Sequence, residues 1–124
     1  MPAIAVTILS GRDLHREDIN HNDAYVEAWF DKDYKQRTSV QSNTSTPEWN
    51  ETLTFNIPEG SHDHKLYIKV LDKDTLDTDK IGEGKLDVSP LLRGETSVLE
   101  EEINLPAKLG LTSHGKIRVS IIVA

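Results

Sequence analysis

The chain contains no cysteine, so it can form neither a disulfide nor a thiolate metal site, and we expect a protein of the reducing cytoplasm. It also lacks an apolar run of the ~20 residues that a membrane-spanning helix requires. Basic residues are scarce: 14 lysines and arginines stand against 21 aspartates and glutamates, which gives a net charge of −7. This acidic balance argues against a nucleic-acid partner, because nucleic-acid binders present an excess of positive charge.

Groups that could carry catalysis are equally scarce. With no cysteine, no serine in a nucleophile-elbow pattern and no proton-transfer partner for the clustered carboxylates, the sequence offers no catalytic set. The five histidines, at positions 15, 21, 62, 64 and 114, lack the spacing of a metal site. We therefore expect a protein that is not an enzyme.

Apolar and polar residues alternate with a period of two throughout the chain, and no long segment has the 3.6-residue period of a helix. Strands are predicted over 3–10, 24–31, 35–40, 51–57, 65–71, 81–88, 97–105 and 116–123, with one helical turn at 89–93. Gly82 and Gly84 predict a bulge or bend in the sixth strand. Eight short strands separated by turn signals predict an all-β fold, an eight-stranded antiparallel β-sandwich in which residues 1–124 form a single domain.

Four aspartates fall within eight residues directly after the fifth predicted strand: Asp72, Asp74, Asp77 and Asp79. Like charges packed so closely repel one another, and a bound cation removes that repulsion. Carboxylate oxygens are hard ligands, of which Ca²⁺ takes roughly 6–8. The loop therefore indicates a calcium site.

The strand count brings a second acidic loop to the same place. If every connection reverses the chain, the connections after the first, third, fifth and seventh strands all lie at one end of the sandwich. Asp18 and Asp23 on the first connection would then face the aspartates of the fifth across a small bowl. Five carboxylates from two loops supply enough oxygens for two calcium ions, and loops on a rigid sheet are a usual place for such a site.

These residues resemble the C2 domain family, a calcium- and phospholipid-binding module, over essentially the whole chain. The most specific match is Thr46-Pro47-Glu48-Trp49-Asn50-Glu51 leading into Leu53-Thr54-Phe55. Asp23-Ala24-Tyr25-Val26 resembles the family's Asp-Pro-Tyr-Val, and Asp72-Lys73-Asp74 followed by Asp79-Lys80-Ile81-Gly82 resembles its third calcium loop. Because the first strand leads directly into Gly11-Arg12-Asp13-Leu14, the resemblance implies the type II topology of the small single-domain C2 proteins of plants and fungi.

The resemblance implies a set of calcium ligands: Asp18, Asp23, Asp72, Asp74 and Asp79, together with the backbone carbonyl of Lys73. The separations Asp18–Asp23 and Asp74–Asp79 are one residue shorter than in the family pattern, at five instead of six. Glu17 has the family spacing to Asp23 and is an alternative to Asp18. Asp77 is an alternative to Asp79.

The resemblance also implies binding to an anionic phospholipid membrane. Ile19 and Leu76 are apolar residues on the acidic loops, and the corresponding tips in the family enter the headgroup region of the bilayer. The alternative, that each folds back over its own loop, stays open. Lys35, Arg37, Lys65 and Lys69 form a basic strand face where many C2 domains bind lipid headgroups, with an ordinary solvated face as the alternative.

The function expected is calcium-dependent peripheral binding to anionic membranes, in which Ca²⁺ reverses the local charge of the acidic loops. The alternative is a calcium-independent adaptor of the same fold that binds a protein or a lipid.

Overall fold

A computed structural model describes residues 3–15, 22–57, 64–73, 78–106 and 113–124. Its strands are β1 (Ala3–Arg12), β2 (Ala24–Trp29), β3 (Gln36–Arg37), β4 (Glu48–Asn56), β5 (Lys65–Lys73), β6 (Thr78–Asp87), β7 (Leu99–Pro106) and β8 (Ser113–Val123), with a short helix α1 (Ser89–Leu92) between β6 and β7. They form two four-stranded antiparallel sheets, in the orders β4-β1-β8-β7 and β3-β2-β5-β6. The predicted sandwich and helical turn are confirmed. Within the described ranges, no helix is long and apolar enough to cross a membrane.

The core lies between the two sheets and follows from the period-two alternation. Inward-facing side chains on both sheets are fully buried, among them Ile4, Val6 and Ile8 of β1 and Val26 and Ala28 of β2. Burying one face of each strand fixes its register, since a shift of one residue would turn every apolar side chain to solvent.

The third strand is shorter than the predicted 35–40. The amide of Val26 donates to the hydroxyl of Thr38 at 3.0 Å rather than to a backbone carbonyl, while the amide of Thr38 donates to the carbonyl of Val26 at 2.9 Å. The regular ladder therefore ends after Arg37, and the two segments pair again only at Ala24 and Gln41.

The fourth strand begins at Glu48, earlier than the predicted 51, because a bulge lets it continue. Ile8 of β1 pairs with Glu51, whereas Ser10 pairs with Glu48, so β4 carries one extra residue in this interval. Asn50 lies within that interval at a φ of 50°, a conformation that asparagine adopts more readily than most residues. The Trp49-Asn50 dipeptide of the motif thus forms the bulge in the backbone of β4.

The predicted irregularity of the sixth strand is confirmed. Val70 of β5 pairs with Gly82 and Leu71 pairs with Lys80, which leaves Ile81 as the bulged residue. A Cβ on Gly84 would lie 2.7 Å from the carbonyl oxygen of Asn104 in β7. Glycine is needed there because the edge strands of the two sheets approach closely.

Substitution of Asn50 tests the conformation of the bulge. We expect Asn50→Val to lower the free energy of unfolding by about 1–2 kcal/mol, because a β-branched side chain is disfavoured in the left-handed region. Asn50→Gly should change it by no more than about 0.5 kcal/mol, since the side chain is exposed and glycine tolerates positive φ. Urea unfolding of the two variants provides the measurement. Equal losses in both would contradict a backbone role.

Candidate metal centre

The ends of β1, β3, β5 and β7 lie at one end of the sandwich. The amide of Gly11 donates to the carbonyl of Pro47 at 2.9 Å, and the amide of His15 donates to the carbonyl of His114 at 2.9 Å. The first bond joins the end of β1 to the connection after β3, and the second joins the connection after β1 to the start of β8, at the end that the strand count predicts. Three of the predicted ligands, Asp23, Asp72 and Asp79, lie at this end and are among the described residues. We call this group of carboxylates the acidic rim.

Asp23 precedes β2 and contacts two other segments of the rim. Its amide donates to Oδ1 of Asp72 at 2.8 Å, and its carbonyl accepts from the amide of Lys73 at 2.8 Å. Its own Oδ1 accepts from the amide of Asn43, on the connection after β3, at 2.6 Å. The half-buried Asp23 carboxylate is therefore held by one backbone donor, the amide of Asn43.

Asp72 and Asp79 are directly opposite each other in the antiparallel pair of β5 and β6. Side chains in such a pair have Cβ atoms about 4.5–5.5 Å apart, and like charges there destabilise the pairing. Asp72 is half-buried and Asp79 is exposed. A cation between these two carboxylates would convert the repulsion into shared coordination.

The remaining acidic candidates, Asp18, Glu17, Asp74 and Asp77, and the apolar candidates Ile19 and Leu76 lie outside the described residues. Among the residues that the structure does describe, no group of three or more His, Cys, Asp or Glu side chains is close enough to hold a metal ion. The donors that these residues contribute nevertheless fit calcium in kind, because the carboxylates of Asp23, Asp72 and Asp79 offer only hard oxygen atoms.

Two asparagines in the rim loops were not predicted from the sequence. Asn22 is 3% exposed, and its Nδ2 donates to the carbonyl of His15 at 3.0 Å, while its carbonyl accepts from the amide of Thr44 at 3.2 Å. Asn43 supplies the amide that binds Asp23, at a φ of 51°. Two features of the sequence could have indicated these roles: Asn22 directly precedes Asp23, and Asn43 lies in the Ser42-Asn43-Thr44 loop. Asparagine favours such turns.

Ala24, which stands where the family motif has proline, forms a backbone hydrogen bond through its amide. The amide of Ala24 donates to the carbonyl of Gln41 at 3.1 Å, a bond that proline could not form. The carbonyl of Ala24 accepts from the amide of Gln41 and from the indole Nε1 of Trp49, the latter at 3.3 Å. The motif tryptophan is thus a buried support for the start of β2.

Arg12, the last residue of β1, is a cation close to the rim. Its Nε and Nη2 donate to the two carboxylate oxygens of Glu102, at 2.5 and 2.9 Å. This two-pronged hydrogen bond holds the pKa of Glu102 below its usual range. Because the Arg12 guanidinium is paired with the Glu102 carboxylate, the positive charge of Arg12 is largely offset.

The predicted basic face lies on the outer side of the sheet β3-β2-β5-β6. In the cross-strand register Arg37 is opposite Glu27, Glu27 is opposite Lys69, and Lys69 is opposite Glu83. Lys65 is likewise opposite Asp87. Positive and negative charges therefore alternate across the sheet.

Aromatic rings support two of the basic side chains on this face. The ammonium of Lys35 lies 4.4 Å from the ring centroid of Trp29, which stacks on Tyr67 at 6.0 Å. The guanidinium of Arg37 lies 5.7 Å from the ring of Tyr25. Cation–π contacts of this kind hold a charged group over the sheet.

The chain was compared with known families, sequences and structures. The C2 domain family matches residues 3–103. A rice protein (Oryza sativa subsp. indica) described as GTPase activating protein 1 is 35% identical over 89 residues, which cover 72% of this chain and 52% of the relative. The chain thus spans about half the length of that relative.

Solved structures agree on the fold. A C2 domain-containing protein from a putative elicitor-responsive gene has a TM-score of 0.75 and 28% identity, over 98% of this chain and 88% of the other. The calcium-bound pair of C2 domains of Extended-Synaptotagmin 2 superposes with a TM-score of 0.81 at 18% identity, over 98% and 45% of the two chains. The second likeness bears on the fold alone. In the strand order β8 lies beside β1, as in the type II topology, and the family match covers most of the chain. The chain therefore belongs to the C2 domain family.

Proposed function

We propose that residues 1–124 act as one C2 module that binds anionic phospholipid membranes in a calcium-dependent way, without enzymatic activity, from the cytoplasm. The observation that carries this proposal is the geometry of the acidic rim. Asp72 and Asp79 form a cross-strand pair of like charges, and Asp23 is bonded to Asp72. Like charges in such a pair repel each other, and a cation between them would relieve that repulsion.

The proposed calcium ligands are the carboxylates of Asp18, Asp23, Asp72, Asp74 and Asp79 and the carbonyl of Lys73, with Glu17 and Asp77 as alternatives. Asp23 and Asp72 orient the site, because their hydrogen bonds join the start of β2 to the end of β5. When bound, calcium supplies positive charge at the rim and coordination positions for phosphate oxygens of lipid headgroups. Without it, the same carboxylates repel an anionic surface.

Apolar and basic side chains complete the proposed membrane contact. Ile19 and Leu76, on the loops that carry the ligands, enter the interfacial region and bury their side chains there. Lys35, Arg37, Lys65 and Lys69 add attraction from the sheet face, although neighbouring carboxylates reduce its strength. In this proposal the acidic rim controls binding, and the basic side chains adjust its strength and orientation.

A calcium-independent adaptor is the second candidate, and the alternating charges of the outer sheet face favour it. The row formed by Arg37, Glu27, Lys69 and Glu83 has both signs at the spacing of adjacent strands. A protein surface with the opposite pattern would match it better than an array of like-charged headgroups.

Thermal melting with calcium and with chelator tests the proposed site. We expect calcium at a hundredfold excess over its Kd to stabilise the protein by about 2.7 kcal/mol, because it binds only the folded state. Asp79→Asn should abolish the shift while leaving the melting point in chelator unchanged or higher, since the like-charge pair is removed.

Asp33→Asn is the matched control. It removes one exposed carboxylate from the turn between β2 and β3, at the opposite end of the sandwich, and should retain the full calcium shift. If millimolar calcium leaves the wild-type midpoint unchanged, the calcium site is absent and the adaptor is favoured.

Co-sedimentation with phosphatidylserine vesicles tests the membrane step. Pelleting should require calcium, and Leu76→Ala should weaken it by about tenfold, because burying a leucine contributes about 1.5–3 kcal/mol. Ile122→Ala is the control, since Ile122 is 45% exposed near the end of β8, away from the rim. Equal pelleting with calcium and with chelator would rule out the proposed charge switch.

A further inference from the structure

A groove of about 620 Å³ follows the seam between β6 and β7, the edge strands of the two sheets. Gly82 and Gly84 lie in its lining, where the lack of side chains lets β7 pack closely against their backbone. A Cβ on Gly82 would lie 2.9 Å from the Cβ of Leu105, and one on Gly84 would lie 2.7 Å from Cγ2 of Ile103. The volume is in the range typical of small-molecule sites, roughly 300–1,000 Å³. We call this feature the seam groove.

The polar side chains of the seam groove are mainly hydrogen-bond donors. Oδ1 of Asn104 accepts from the hydroxyl of Ser113 at 2.7 Å, so the amide nitrogen of Asn104 remains available to donate. His114 stacks on the ring of His15 with centroids 4.8 Å apart, which limits its rotation. Tyr67 adds a hydroxyl from the neighbouring strand β5.

The charges of the seam groove favour an anion. Its lining contains Lys80 and Lys85 but only one carboxylate, that of Glu83. The ammonium of Lys80 is paired with Glu83 at 3.3 Å. Lys85 is opposite Tyr67 in the register of β5 and β6 and forms no ion pair within the described part of the chain. One positive charge is therefore left without a counterion in a groove whose wall is mostly apolar.

We propose that the seam groove binds a small amphipathic anion, a phosphate monoester or carboxylate attached to an apolar body. The anionic group lies at Lys85, where a charge-assisted hydrogen bond can form, and Asn104 donates to it. The apolar body covers the ring of Tyr67 and the half-buried backbone of Gly84, beside Pro106. This site needs no calcium, and it is separate from the acidic rim and from the side chains of Lys35 and Arg37.

Titration with phenyl phosphate in the presence of a calcium chelator tests the proposal, with binding followed by amide chemical shifts. Saturable shifts are expected at Lys85, Asn104 and His114, with weaker binding of inorganic phosphate because it lacks an apolar body. Lys85→Met keeps the aliphatic stem and should weaken phenyl phosphate binding by about tenfold, the effect of losing a hydrogen bond to a charged group.

Lys32→Met is the matched control, because Lys32 is exposed in the turn after β2, outside the groove, and this variant should bind phenyl phosphate as the wild type does. A second experiment measures co-sedimentation of the protein with phosphatidic acid vesicles in the presence of a calcium chelator. Pelleting that depends on Lys85, without binding of phenyl phosphate, would assign the anion to a membrane headgroup. Binding of phenyl phosphate alone would assign it to a soluble ligand. Equal weakening by Lys85→Met and Lys32→Met, or no saturable binding in either experiment, would overturn the proposal.

Discussion

Two hydrogen bonds between the start of β2 and the end of β5 are the constraint on which the acidic rim depends. The amide of Asp23 donates to the carboxylate of Asp72, and the amide of Lys73 donates to the carbonyl of Asp23. Both use backbone atoms at the ends of paired strands, so their geometry follows from the register of the sheet. Two aspartates nearly fifty residues apart in sequence are therefore brought together by the fold itself.

Much of this arrangement could be predicted because it depends on alternation and on chain reversal. A strand with Ile4, Val6 and Ile8 on one face can bury that face in only one register, and strands that reverse at each connection place alternate loops at the same end. The proximity of Asp23 to Asp72 follows from these two rules. The length of β3 does not, since the hydroxyl of Thr38 replaces a backbone acceptor of the ladder. A threonine in a strand-like run gives no local sign of that tertiary contact.

The supports of the rim were harder to predict than its carboxylates. Asn22 and Asn43 look like ordinary loop residues, because composition identifies a turn without showing which backbone group each side chain or amide will bond. Ala24 departs from the family motif, yet its amide gains a bond to Gln41 that proline would lack. Asn50 shows the converse case, in which a motif residue has a backbone role, at a φ of 50° in β4. Motif matching thus predicted a location for the proposed site and not the interactions that support it.

The net charge of −7 does not decide whether this surface approaches an anionic membrane. At physiological salt, exposed charges are screened beyond about 8 Å, so only the groups near the contact count. On the outer sheet face Lys69 stands between Glu27 and Glu83, and that region has little net charge to change. At the rim, Asp72 and Asp79 are adjacent, and a bound divalent cation would offset the charge of both carboxylates. The position of the carboxylates therefore favours control at the rim over steady attraction by the sheet face.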